Sequence, residues 1–309
     1  MPNVVRIVTS SLGTLEQVSP PFNLSVPRFE DNIRRAAEIL NAAAAFKPDL
    51  VLLPETIGLA GMPASEIPRV AEESDGPTAQ RLGSLARQGH MNVVAGHLVR
   101  DGGRLFNRAL VFGRDGKLVG YSDKVHPVGN EAHAGVSPGE HPGTFDLDFG
   151  RIGVAICFDI NWPGLWTELA ARRVDFACWL SAYDGGFPLR SYAWVHGYPI
   201  VSSVLSYHAR LYDITGEQTT LTSRWQRVGF LELNLDRGLF HTDNQMHKLI
   251  EIQARYGDAV KLRTLTEEHL FVLESRDPRV TVRDVMAEFG LETYRDYIAS
   301  CGGTGPAAR

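Results

Sequence analysis

The sequence predicts an α/β protein with mixed sheets. Three observations carry this. Apolar runs of strand length alternate with helical stretches of 3.6-residue period. Several of the runs are joined pairwise by tight turn residues, which makes those neighbours antiparallel. Others are separated by a helix, which suits a parallel crossover. The chain has 309 residues, enough for one large domain or two small ones. A chain this long buries about three quarters of its unfolded surface, so it needs no disulfide or metal to hold a core.

The elements follow in order. Residues 31–46 form a helix, because Ile33, Ala36, Ala37, Leu40 and Ala44 recur at three- and four-residue spacing. Lys47-Pro48 stops it, since proline disfavours helical backbone in the residue before it. Residues 49–53 are a short buried strand, and Pro54 ends it with Glu55 at its tip. Residues 91–99 and 105–112 make a hairpin across Asp101-Gly102-Gly103. Residues 118–124 are a further strand. Residues 127–143, rich in Gly, Pro and His, read as an ordered loop. Residues 145–147 and 152–156 flank a turn at Asp148-Phe149-Gly150-Arg151. A helix opens at Trp162-Pro163 and runs to 173, with Leu165, Leu169 and Ala170 inward. Strands at 174–180 and 198–207 bracket a short helix at 190–196. Beyond Asp243 the character changes. A helix to residue 256, a strand at 270–273 and one or two helices over 281–300, broken at Gly290, are expected. The division is therefore a main body, 1–242, and a C-terminal extension, 243–309, packed on that body or on a partner subunit.

Composition narrows the function. Lys and Arg number 31 against 36 Asp and Glu, a formal charge of −5, which argues against a nucleic-acid binder. The three cysteines, Cys157, Cys178 and Cys301, contain no C-x-x-C pair and make no disulfide framework, so a reducing cytoplasm is expected. The first residues lack a secretory pattern, and no stretch reaches 18 apolar residues, so no membrane span is expected. No H-E-x-x-H or paired Cys/His spacing marks a metal site, and no cofactor is expected.

Three residues stand where chemistry could sit. Cys157 follows the apolar strand Gly153-Val154-Ala155-Ile156 and precedes a helix. Such a turn projects its side chain from the sheet edge and aims backbone N–H groups at the same space. Isolated cysteines are more often apolar filler, and Cys178 and Cys301 are read that way. Glu55 ends a buried strand, where burial raises a carboxyl toward a useful base. Lys124 ends another and is one of only five lysines. Singly, each also has an ordinary reading: a solvated strand-end carboxylate, and a surface lysine paired with Asp123. His126, His133 and His141 share one loop without the spacing of a ligand set or a catalytic pair.

Together the segments Leu52-Leu53-Pro54-Glu55, Asp123-Lys124-Val125-His126 and Gly153-Val154-Ala155-Ile156-Cys157-Phe158-Asp159 resemble the signatures of the nitrilase, or carbon–nitrogen hydrolase, superfamily. They stand in that family's order and at similar separations, and the resemblance covers roughly residues 4–237. It implies a Glu–Lys–Cys triad at Glu55, Lys124 and Cys157. A second family glutamate matches Glu131, which is followed by Ser137-Pro138-Gly139; Glu140, after that turn, matches less well. It implies a four-layer α-β-β-α sandwich with two mixed sheets, assembled as a homodimer or higher homo-oligomer. It also implies hydrolysis of a small amide or N-carbamoyl compound through a Cys thioester, with Thr56, Phe158, Ser181 and Tyr183 at substrate-contacting positions. Phe158-Asp159 is closer to the amidase and carbamoylase branches than to true nitrilases.

The sequence also departs from the family. Trp162-Pro163-Gly164 replaces the usual Pro-Glu, Arg173-Val174 replaces Gly-Ala, an insertion covers 10–27, and 208–224 lacks the Asn- and Gly-rich pattern. Two alternatives stay open: a true nitrilase, with a nitrile substrate, and a catalytically silent binding protein on the same scaffold. An isochorismatase-like hydrolase is disfavoured, because its acid is an N-terminal Asp.

Overall fold

The structure is a computed structural model that describes residues 3–13 and 28–302. Most of the 10–27 insertion lies outside the described residues. Helix α1 (Phe29–Ala44) packs against strands β1 (Val4–Ser10), β2 (Leu50–Leu52), β4 (Asn92–Asp101) and β5 (Arg104–Phe112). A seven-stranded sheet takes the order β13-β1-β2-β4-β5-β6, with β6 at Leu118–Asp123 and β13 at Val228–Asn234; the two-residue β3 (Glu72–Glu73) joins β4. The central pairs β1–β2 and β2–β4 are parallel, and the flanking pairs are antiparallel.

A six-stranded sheet lies behind it in the order β12-β11-β10-β9-β8-β7. Its strands are β7 (Gly143–Leu147), β8 (Gly150–Ile156), β9 (Phe176–Ser181), β10 (Ile200–Val204), β11 (Arg210–Tyr212) and β12 (Gln218–Thr220). Here β8, β9 and β10 are parallel. Alternation along each strand assigns its residues to layers. Val93 and Ala95 face α1 and α3 (Pro77–Gly89), while Val94 faces the other sheet with Ile152, Val154 and Ile156. Ala155, Ala177 and Trp179 face outward to α5 (Pro163–Ala171) and α6 (Phe187–His196). The result is the expected helix-sheet-sheet-helix stack.

Hydroxyls cross between the sheets inside this core. Thr9 donates to the Ser202 carbonyl at 2.6 Å, and Ser203 donates to the carbonyls of Ser10 (3.0 Å) and Leu52 (3.1 Å). Buried hydroxyls without such partners would be costly, so this seam specifies how the sheets overlie.

A third sheet, β14-β16-β15, is built from β14 (Arg237–His241), β15 (Val260–Leu265) and β16 (Leu270–Ser275). Its first strand precedes residue 243. It is covered by α7 (Lys248–Tyr256) and α8 (Val282–Phe289). It meets the six-stranded side through a paired Arg237–Asp213 fork at 2.8 and 3.0 Å and through Ile214, Leu239 and Val272.

Several boundaries differ from the sequence reading. The 127–143 segment contains a short helix, α4 (Gly129–His133). A 3-10 turn, Cys157–Asn161, precedes α5. Helix α7 starts at Lys248 rather than near 243, because residues 242–247 are taken up by turns. The 208–224 region supplies β11 and β12. Cys178 is buried, as expected of a filler, whereas Cys301 is exposed on α9 (Tyr294–Gly302) and fills no core.

Candidate active site

Strand geometry brings Glu55, Lys124 and Cys157 together. Glu55 follows β2, Lys124 follows β6 and Cys157 follows β8. Strand β6 runs in the same sense as β2, because two antiparallel steps separate β4 from β6. Ala182 follows β9, and Leu205 follows β10. The cavity therefore opens at the carboxyl ends of parallel strands, where α/β sheets leave a crevice. Its volume is about 280 Å³, and it is lined by Glu55, Lys124, Glu131 and Cys157 together with Thr56 and Asn130.

Two backbone details place the ends of this site. The Gly96 N–H donates to the Pro54 carbonyl at 3.0 Å. A side chain at Gly96 would meet Glu55 Cα at 2.5 Å and Thr56 N at 2.8 Å, so only glycine lets β4 support this turn. Thr56 and Cys157 themselves adopt left-handed backbone, φ 42° and 46°. For non-glycine residues this conformation costs about 1–3 kcal/mol and is held only by its surroundings. At Cys157 the surroundings are explicit. The Trp179 indole donates to its carbonyl at 3.1 Å. The buried Asp159 carboxylate accepts the N–H groups of Ile156 (3.2 Å), Val125 (3.3 Å) and His126 (2.8 Å). Asp159 thus ties the cysteine turn to the segment just after Lys124.

The polar core of the site is a closed set of charge-assisted bonds. Lys124 Nζ donates to Glu55 Oε1 at 2.8 Å and to Glu131 Oε2 at 2.7 Å. Asn107, on β5, donates from Nδ2 to Glu55 Oε1 and to Glu131 Oε1, each at 2.7 Å. The Val128 N–H adds a bond to Glu131 Oε2 at 2.8 Å. Glu55 Oε2 is buried and accepts no hydrogen bond from the described residues. It is the carboxylate oxygen left over for a proton.

Electrostatics follow from this packing. Burial alone would lower the Lys124 pKa, but the neighbouring Glu55, Cys157 and Glu131 outweigh it and raise it, so the ammonium stays charged. Burial and then the Glu55 charge push the Cys157 thiol well up, against the pull of Lys124, the Ala182 N–H and the Ser181 hydroxyl. Its surroundings thus work against ionisation of this thiol, so any nucleophilic role for it would need a base beside it.

The other expected residues divide. Thr56 lines the cavity. Ser181 is fully buried beside the cysteine, and its hydroxyl also accepts the Tyr183 N–H at 3.1 Å. Phe158 and Tyr183 are outside the lining. Phe158 is exposed and packs edge-on to Trp162, and Tyr183 packs edge-on to Trp179. Tyr183 still senses the site: burial first, then Cys157 and Glu55, raise its pKa to about 12. Asn107 escaped the sequence reading. Its only signal is a polar residue inside the apolar run Leu105-Phe106-Asn107-Arg108-Ala109-Leu110.

An α-β-β-α sandwich that gathers a buried Glu, Lys and Cys at its strand ends is the arrangement expected of a carbon–nitrogen hydrolase. The sequence matches the family model for carbon-nitrogen hydrolases over residues 15–211, and the chain belongs to that family. It is 30% identical to the human omega-amidase NIT2 over 168 residues, 52% of this chain and 59% of the relative's length. It is 24% identical to the mouse omega-amidase NIT2 over 268 residues, 80% of this chain and 94% of that one. Its fold is similar to Saccharomyces cerevisiae Nit3, described as a nitrilase-superfamily member (TM-score 0.64, 22% identity, 75% of this chain and 90% of that one). It is likewise similar to an amidase from Nesterenkonia sp. (TM-score 0.64, 17% identity, 82% and 96%).

Proposed function

We propose that the protein is an amidase that hydrolyses a small carboxamide through a Cys157 thioester. The observation that carries the reading is the Lys124 ammonium held between two buried carboxylates in the cavity that Cys157 lines. Glu55 Oε2 takes the thiol proton as sulfur bonds to the amide carbon. The carbonyl becomes an oxyanion, stabilised by Lys124 and the Phe158 backbone N–H. Glu55 returns the proton to the departing nitrogen, the C–N bond breaks, and ammonia or an amine leaves a thioester. Glu55 then deprotonates water, which attacks the thioester. The C–S bond breaks, the acid leaves, and the thiolate regains its proton. Glu131 keeps Lys124 in place and orders the site for substrate or water. In this reading Ser181 supports the sulfur, and Thr56, with Phe158 and Tyr183 at the rim, shapes the approach.

Ammonia release from a panel of amides and matching nitriles, run with Cys157→Ala, tests the proposal. Release from amides alone, lost in the variant, is expected. Release from nitriles alone would favour a nitrilase. No release, with Cys157 inert to an electrophile, would favour a silent scaffold.

Three further readings belong to the same proposal. The cytoplasm is supported by the absence of a cysteine framework. A homodimer or higher homo-oligomer is supported by Phe187 and Val195, left exposed on α6. Residues 1–242 act as the catalytic unit and 243–309 as its docked extension, supported by the Arg237–Asp213 fork and the packing of Leu239 on Ile214. No described helix is long and apolar enough to cross a membrane.

A further inference from the structure

The cavity's charge and lining bear on which amide it takes. Its ionised groups are Glu55, Glu131 and Lys124, two negative charges against one positive. Two of the ammonium's three N–H bonds go to the carboxylates and the third is the one the proposed oxyanion takes, so none is left for an anionic substituent remote from the reacting carbonyl. Among the described residues lining the cavity no other cation occurs. Residues 14–27, outside the described set, contain no Lys or Arg in their sequence. Much of the remaining lining is apolar: Leu59, Met62, Ala64, Ile67, Val128 and Leu205. Among the described lining residues, the neutral polar side chains besides the Cys157 thiol are those of Thr56 and Asn130.

A carboxylate placed in this cavity would be stripped of water without a counter-ion and would face a net negative site. An alkyl group there would instead replace water along an apolar wall. The volume, about 280 Å³, lies at the lower limit for ligand pockets and suits a substrate of few atoms.

We infer that the site selects uncharged, short aliphatic carboxamides and rejects amides whose acyl chain ends in a carboxylate. This rests on the amidase reading and narrows it. It sets the chain apart from an enzyme for half-amides of dicarboxylic acids or for N-carbamoyl amino acids, since both carry that carboxylate.

Butyramide and succinamate form a matched pair, because a carboxylate in one replaces the methyl of the other. The expected kcat/KM favours butyramide by ~50-fold or more, the size of one unscreened like-charge repulsion across about 7 Å at an effective dielectric near 20. N-carbamoylglycine should rank with succinamate. Equal or better turnover of either anion would overturn the inference. Calorimetric binding to Cys157→Ala separates the inference from the reading beneath it. If butyramide binds and succinamate does not, yet the unaltered protein releases no ammonia, the amidase reading alone fails. If succinamate binds as well as butyramide, or if neither binds, the inference fails.

Discussion

Asn107 and Glu55 are joined by a 2.7 Å hydrogen bond from the side-chain amide to Oε1. The same nitrogen donates to Glu131, so one asparagine fixes both carboxylates and leaves the other Glu55 oxygen without a hydrogen-bond partner among the described residues. Replacing Asn107 with Leu removes both bonds. Hydrogen bonds to buried charged groups are worth about 1.5–3 kcal/mol each, so kcat/KM should fall about a hundredfold. Asn107→Asp should be worse, since it adds a third carboxylate. Steady-state kinetics of the two variants check both, and an unchanged kcat/KM in Asn107→Leu would remove Asn107 from the mechanism.

Glu55→Gln should affect turnover and thiol ionisation in opposite directions. Turnover disappears with the base. The Glu55 charge is one of the causes that raise the Cys157 thiol, so removing it lowers that pKa, and thiolate forms at lower pH. Iodoacetamide labelling of Cys157, followed by mass spectrometry across pH, should show its midpoint shifted downward in the variant. A midpoint that stays put or rises would show that Glu55 does not act on the sulfur.

Gly96→Ala tests the backbone support of the base. The added carbon would meet three backbone atoms of 54–56 closer than 3 Å. None of these can rotate away, so the Glu55 turn must shift. Overpacking of this kind costs about 1–3 kcal/mol. A lower Tm and at least a tenfold fall in kcat are expected, with KM changed much less. Unaltered thermal melting would contradict the tight fit of β4 to this turn.

Asp159→Ala leaves the buried N–H of Ile156 and the part-buried N–H groups of Val125 and His126 without their acceptor. A buried donor left unmade costs about 1–3 kcal/mol and a part-buried one less, since water can reach it, so roughly 2 kcal/mol of stability should be lost in urea unfolding. Asp159→Asn keeps an oxygen and should recover part of it. Equal stability of both variants with the unaltered protein would show the clamp to be dispensable.

A chain ending at residue 242 should be soluble only poorly. Strand β14 would lose β16, its ladder partner, and Leu239 and Phe240 would lose much of their cover. Light scattering should report aggregates. A monodisperse product would mean that the third sheet is not needed by the rest.

Much of this architecture is legible in the sequence because it is local. The period of Ile33, Ala36 and Leu40 marks α1, and Pro54 marks the end of β2 together with Glu55. The apolar run into Cys157 marks β8. What is illegible depends on distant partners. Asn107 acquires its role from residues 24 and 52 positions away. Phe158 and Tyr183 follow motif residues in sequence, yet their rings pack on Trp162 and Trp179 and stay outside the cavity lining. Helix α4, which carries Glu131, is only five residues long, too short for any periodicity to announce.

The hydroxyl seam between the sheets has a kinetic meaning. Glu55 and Lys124 follow strands of one sheet and Cys157 a strand of the other, so no single sheet holds the proposed reacting set. A small slide of one sheet over its neighbour would change the reach from carboxylate to thiol while leaving each ladder intact. Thr9, Ser10 and Ser203 act as locating pins against that slide. Turnover by this protein is then a gauge of alignment between two halves of a molecule, and it should fail by misalignment before it fails by melting.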